Sequence, residues 1–411
     1  MPSTPLPQPR QPVQQASSRL LLLMAIACGL CAGCNYINQP LLHSIAHSLQ
    51  VTEAQAAYSV TISQLSYAGG LLLLVPLGDL LDRRGLVVGL MVLAAAGLLL
   101  CAVTGQIALF WFGSAIAGVF SVAAQVLVPM VTLLVAPQQA GRAVGILMTG
   151  LLIGIQSARS VAGILSGTAG WQSVYTLTAV LMLLVAAALW KLLPTPAALG
   201  AAAATGRTGY GAAMRSMGQL LVAEPRLRSR TLMGAFSFAS LSVLFSTMAL
   251  LLGKAPHHLS DMGIGLISLV GVASALVAKP VGQRADRGQE PATSLAFGLV
   301  LVAIWPLMWL STRSITAFGV GLLVLGVCIA AIHISNQSVI FRLAAASRSR
   351  ANALYMTGYF LGASAGSALG VVAWDAGGWP AVCWLGLLLA LGALAATGYD
   401  RRLARQQPAM G

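Results

Sequence analysis

The sequence predicts an all-α polytopic membrane protein, with twelve transmembrane helices in two pseudo-symmetric six-helix bundles. Three observations carry this prediction. First, 58% of the 411 residues are hydrophobic, only 8% are charged, and the mean hydropathy is +0.85. Soluble domains are about a quarter charged, so these apolar residues have no soluble core to hide in. Second, the basic residues cluster in alternate loops. Third, the chain repeats. Arg142, Met148, Thr149, Gly150, Gly154, Gly170 and Trp171 recur as Arg350, Met356, Thr357, Gly358, Gly362, Gly378 and Trp379, each 208 residues later. A charged loop holding Gly78, Asp82 and Arg83 recurs as Gly282, Asp286 and Arg287, 204 residues later. Two motifs in one order at nearly equal offsets imply a duplicated six-helix unit.

Residues 1–19 are rich in Pro, Gln and Ser and read as a disordered tail. Arg19 and the apolar run after it have the look of a signal peptide. The run continues to about residue 42, however, which is long enough to span. Spans are expected over 20–42, 55–78, 86–106, 108–136, 143–167 and 172–193, forming a first bundle within 20–193. The stretch 194–230, Ala/Gly-rich and then basic, is the expected linker. Spans over 231–253, 262–283, 291–311, 315–341, 352–373 and 380–398 form the second bundle, 231–398, before a tail at 399–411.

The net charge of +14 does not mark a nucleic-acid binder, because the basic residues are spread over short loops without interleaved aromatics. With the N-terminus inside, the loops on the other side hold only Lys254 and Arg313. The positive-inside rule then predicts two cytoplasmic termini. Cys28, Cys31, Cys34, Cys101, Cys328 and Cys383 lie in apolar runs and read as small buried hydrophobes, with no disulfide expected. No phosphate loop, zinc spacing or Ser-His-Asp arrangement stands in a fitting context. Neither an enzyme, a cofactor nor a metal is expected.

The loop at 78–85 carries four charges between two apolar runs. Gly78, Asp82, Arg83 and Gly85 fill the places of Gly-x-x-x-Asp-Arg-x-Gly, so the chain resembles the major facilitator superfamily of transporters. It departs where Val87 and Val88 replace further basic residues. The resemblance implies the twelve-helix fold and alternating access. It also implies a gating role for Gly78, Asp82, Arg83 and Gly85, and for Gly282, Asp286 and Arg287 in the second copy. Asp82 is then expected near the helix N-terminus at Ala351 and Asn352 when the cavity faces outward. The run Asn38-Gln39-Pro40-Leu41-Leu42, with Arg159, is similar to bacterial sugar/drug efflux permeases. Two drug-antiporter signatures are missing: Ser114 stands where an Arg would precede Gly118 by four, and Arg159-Ser160 where a Gly-Pro pair would fall. The implied function is a secondary active transporter for a small organic solute, working by proton-coupled efflux, as a monomer surrounded by lipid. The alternatives are an uptake symporter or facilitator for an organic anion, and a receptor or scaffold that moves nothing.

Polar side chains inside a span are costly unless they face a cavity or a partner. Candidate solute contacts are Asn35, Asn38 and Gln39 at i, i+3 and i+4 in span 1. Gln156 and Arg159 in span 5 and His333, Asn336 and Gln337 in span 10 complete the set. For the amides, interhelical hydrogen bonding competes with a ligand role. The first stripe also lies near the end of its span, where interfacial solvation would serve. His333 reads either as a titrating group or as a hydrogen-bonded packing residue. Arg159 is the one charge expected well inside a span, where it either snorkels or meets an anionic or polar solute. All nine acidic residues fall in loops or at helix ends, so no membrane-embedded carboxylate is expected as a proton carrier.

Overall fold

In the computed structural model, residues 17–136, 139–194, 209–343 and 348–406 are described. The expected first tail lies mostly outside these residues, as does the Ala/Gly-rich start of the expected linker, whereas 399–406 of the expected second tail continue the last helix. Described residues are helical almost throughout, and nine helices among them are long and apolar enough to cross a membrane. One of the nine is of double length and supplies two spans, and two shorter apolar helices supply the others.

The first span is broken where one helix over 20–42 is expected. Helix α1 (Ser18–Gly33), capped by the Ser17 hydroxyl, stops before the amide stripe. A 3-10 turn (Gln39–Leu41) and helix α2 (Leu42–Leu49) follow. The reason is local. Pro40 offers no N–H to continue the ladder. Asn35 turns its amide back onto the Cys31 carbonyl at 3.3 Å, competing with the backbone ladder. The stripe therefore sits on a turn rather than a helix face.

Helix α3 (Glu53–Leu73) opens on a Thr52/Gln55 capping box and α4 (Arg83–Val103) on Asp82. Helices α5 (Ile107–Phe120) and α6 (Ala123–Val131) share the fourth span. Helices α7 (Ala140–Ala169) and α8 (Trp171–Leu192) complete the first bundle. The expected linker is not wholly irregular. Helix α9 (Tyr210–Ala223) occupies part of it, and α10 begins at Pro225 and runs to Leu252. The basic composition of 207–230 concealed the apolar face of α9, on which Met217 is buried.

The eighth span is split into α11 (Asp261–Ser268), a 3-10 segment (Leu269–Val277) and α12 (Ala278–Asp286). Helices α13 (Glu290–Met308) and α14 (Ile315–Leu343) follow. The last two spans form α15 (Arg348–Gln406), kinked at Gly377 and Gly378.

The repeat reappears as geometry. Gly170 (φ +78°) joins spans 5 and 6, and Gly378 (φ +60°) joins spans 11 and 12. Both turn the chain with backbone angles that only glycine adopts without strain. The tryptophans that follow are buried against matching rings: Trp171 lies 5.7 Å from Phe110, and Trp379 lies 6.2 Å from Phe318. In the first half Gly154 presses on the Gly29 backbone, and in the second Gly362 presses on Ala235, so a Cβ at either would strike main chain. Small residues at such crossings let membrane helices approach closely.

The halves meet along two seams, α3 with α15 and α7 with α11. The end of the bundle bearing Ser18 and Gln406 is termed the terminal face, and the opposite end the distal face. Seam contacts lie from mid-bundle to the distal face. Thr61 donates to the Ser367 hydroxyl at 3.0 Å, and Ser364 donates to the Thr61 carbonyl at 3.2 Å. Gly163 and Gly167 of α7 lie against Asp261, Gly265 and Met262. On the distal face, Lys254 pairs with Glu53 at 3.1 Å, and Glu53 also meets His43 at 2.9 Å. The terminal face is bridged instead by α9. Tyr210 donates to the Leu73 carbonyl of the first half at 3.1 Å, and Ser216 accepts from Arg350 of the second at 2.6 Å.

Candidate functional site

Arg159 does not snorkel. It is 3% exposed and sits on α7 where that helix meets the second half. Its Nε donates to Gln39 Oε1 at 2.6 Å and its Nη1 to Gln156 Oε1 at 3.0 Å. The guanidinium lies over the Tyr36 ring at 4.5 Å and the Phe245 ring at 3.9 Å. Phe245 belongs to α10, so the cation is held by both halves. Among the described residues no carboxylate lies within ion-pair distance of it. The repeat mate, Ser367, sits on the other seam and accepts from Thr61.

The three stripes separate in space. Gln39 and Gln156 join Arg159, as their residue types suggest. Asn35 and Asn38 do not: Asn35 donates to Ser121 at 2.8 Å and Asn38 to Ser59 at 3.1 Å, both within the first half. All three amides of this stripe are buried, which removes interfacial solvation as their explanation.

His333, Asn336 and Gln337 of α14 face α10 and α15. His333 Nδ1 lies 2.9 Å from the Tyr355 hydroxyl, and Gln337 donates to Asn352 at 3.3 Å. Asn336 accepts from Arg230 at 3.3 Å and donates to the Arg230 carbonyl at the same distance. The His333 ring is also 4.8 Å from Tyr359, which stacks on Phe238 at 4.1 Å. An aromatic cluster thus lies below Arg159 in mid-bundle, and Tyr67 of the first half joins it through Phe360 at 4.4 Å.

Several of these groups escaped the sequence reading. Arg230 was expected in a solvated linker, yet it is fully buried. Its Nη2 lies 2.5 Å from Asp400 Oδ2, and Asp400 also accepts from Ser229 at 2.7 Å and pairs with Arg226 at 3.5 Å. The acids do sit at helix ends, and some of those ends are buried. Asp400, Glu290 and Asp261 are all buried. Asp400 is enclosed because α10 starts a turn early and brings two arginines to it. Asp261 accepts from Ser166 at 2.9 Å and from Ser44, both of the first half. Its one sequence signal is Ser260, the N-cap of α11. Gln64 and Ser242 form a further inter-half pair, 2.9 Å apart.

The loop at 78–85 holds itself together. Asp82 caps α4 by accepting from the Arg84 and Gly85 amides at 3.2 and 2.9 Å. A Cβ at Gly85 would lie 3.1 Å from that carboxylate, and one at Gly78 would lie 3.2 Å from Val126, so both positions favour glycine. Arg83 Nε donates to the Gly78 carbonyl at 2.7 Å. Asp82 therefore caps its own helix in this conformation; the placement near Ala351 and Asn352 is an expectation for the outward-facing one. In the second copy Gly282 is half-buried, Asp286 ends α12, and Arg287 follows, exposed.

Two six-helix repeats meeting along polar seams define a membrane solute transporter. A profile described as Major Facilitator Superfamily matches residues 24–347 and 231–409, and the chain belongs to that superfamily. It is 42% identical over 382 residues to the transporter YgaY of Escherichia coli (strain K12), covering 93% of this chain and 95% of the relative. It is 29% identical over 371 residues to a transporter of Streptomyces coelicolor, SCO4007, covering 90% and 84%. Its fold is similar to that of a bacterial homologue of the human lysosomal transporter Spinster in an inward-facing, occupied conformation. That likeness has TM-score 0.71 and 14% identity, and covers 97% of this chain and 98% of the other. The nucleoside transporter NupG also has TM-score 0.71, at 12% identity, covering 93% and 99%.

Proposed function

We propose that this chain is a secondary active transporter that exports a small organic solute across the bacterial inner membrane by alternating access, coupled to protons. The observation that carries this reading is the position of Arg159. It is buried at the distal seam, with partners from both halves, where a solute entering from the terminal face would meet it. The excess of basic residues on the terminal face supports that face as cytoplasmic. Closure at the distal seams then corresponds to the cytoplasm-facing state, in which an exporter loads. The glycine joints and small-residue crossings give each half the stiffness to rock as a body.

Proton coupling is assigned to Asp261. Its carboxylate is held by serine hydroxyls from the first half, and among the described residues no cation pairs with it. Opening the seam removes those hydroxyls and hydrates the carboxylate. The protein works as a monomer in lipid. An uptake symporter or facilitator is the second reading, favoured by the same unpaired cation.

Flux in proteoliposomes tests the reading. Solute should move out of the compartment facing the terminal end, faster with an opposing proton gradient. Flux indifferent to that gradient would leave a facilitator, and reversed flux an importer. No movement of any solute that binds would leave a receptor or scaffold.

A further inference from the structure

We infer that the solute is an organic anion, a small aromatic carboxylate, whose charged head binds the edge of Arg159. This rests on the transport reading above. Both faces of the guanidinium are covered, by Tyr36 at 4.5 Å and Phe245 at 3.9 Å. A ligand can therefore reach only its N–H edge. There, Gln39 and Gln156 supply neutral amide oxygens. A full charge in a buried site is poorly balanced by two amides and two rings. The planar N–H fork matches a carboxylate in bidentate geometry, which amides copy only one bond at a time. Exchanging the amide oxygens for a carboxylate supplies the missing negative charge. A cationic solute would meet repulsion instead, and a neutral one would leave the imbalance unchanged.

The body of the solute follows from the same helix. Phe238 and Phe245 are seven residues apart on α10, so they share a face and are separated by roughly 10 Å at 1.5 Å per residue. Phe238 stacks on Tyr359 at 4.1 Å, and His333 lies 4.8 Å beyond. A solute with its carboxylate at Arg159 extends its body toward these rings, where an aromatic body stacks best. The separation sets the reach of one phenylpropanoid-sized molecule.

Two other features were weaker. The 440 Å³ groove along α1, α7 and α8 is lined by apolar side chains such as Leu22, Ile153 and Leu181 and shows nothing of its occupant. The Arg230–Asp400 cluster is already charge-paired.

The test is a thermal-shift panel on the full chain, purified in neutral detergent. Cinnamate, 4-hydroxybenzoate and 1-naphthoate are each compared with the matched primary amide and primary amine. The expected result is stabilisation by carboxylates only, with cinnamate strongest. Arg159→Gln should weaken cinnamate binding at least tenfold. Arg159→Lys, which keeps the charge, should retain the preference for carboxylates at lower affinity. Lys is the control should Gln fail to fold. Stabilisation by amides or amines that survives Arg159→Gln would overturn the anion assignment while leaving transport standing. No stabilisation by any carboxylate would also overturn it. A shift with phosphatidylglycerol alone would identify the anion as a lipid headgroup and likewise overturn it. Carboxylate binding without flux of the same compound in proteoliposomes would sink the transport reading and keep the anion site.

Discussion

A guanidinium wedged between two rings is a residue that resists substitution by charge alone. Arg159→Ser, which copies the repeat mate Ser367, removes a buried cation and leaves small polar atoms. The chain should still insert and fold, while solute affinity measured against surface expression is lost. Normal transport by that variant would move the binding site to the His333, Asn336 and Gln337 stripe. Asp400→Asn is expected to act the other way, on stability. Arg226 and Arg230 would share a neutral amide in place of a carboxylate, and breaking a buried pair costs about 3–5 kcal/mol. A melting curve in detergent reads this directly, and an unchanged midpoint would show that the pair contributes nothing. Arg159 was legible in the sequence because a charge in the middle of an apolar run has no bland neighbours. Arg230 and Asp400 were not, because at a helix end a charge in water and a charge under a neighbouring helix look the same along the chain.

Helix ends carry the next set of expectations. Asp82 caps α4 through two backbone amides. Asparagine caps about as well as aspartate, whereas alanine loses about 1 kcal/mol. Asp82→Asn should therefore leave the melting temperature within error and still slow transport, if the negative charge latches the second half when the terminal face closes. Full activity in that variant would confine Asp82 to capping. Asp286→Asn is expected to be tolerated better, since its Asp-Arg-Gly run lacks the intervening residue of the first loop. At the joints, Gly170→Ala and Gly378→Ala each force a non-glycine residue into a glycine-only region, at a cost of about 1–3 kcal/mol, and both should lower the melting midpoint. The number and order of spans were readable from apolar run lengths. The breaks within spans were less so. Pro40 marks one, but the 3-10 segment at Leu269–Val277 has no proline and only one glycine, Gly271, to announce it. Helix α9 was hidden because Met214, Met217 and Leu220, the residues of this short helix that pack on the core, do not raise the average of a basic stretch.

At the scale of the whole molecule, the account joins one repeat, two seams and two faces. The repeat was visible as a constant offset and returns as paired glycine joints and paired tryptophans. Which seam residues come together was not visible, because Phe245 reaches Arg159, and Ser44 and Ser166 reach Asp261, from the opposite half. Sequence spacing carries no distance between halves. The central claim is that the distal and terminal faces open in alternation, and paired distance measurements test it most directly. The native cysteines are buried, so spin labels attach to introduced ones. One pair, Ser48→Cys with Ala255→Cys, spans the distal face; another, Lys191→Cys with Arg228→Cys, spans the terminal face. In proteoliposomes each pair should show two populations. Conditions that lengthen the distal distance, such as Arg159→Ser or Asp261→Asn loosening the seam, should shorten the terminal one. A single distance at each face, unchanged by those substitutions, would contradict alternating access.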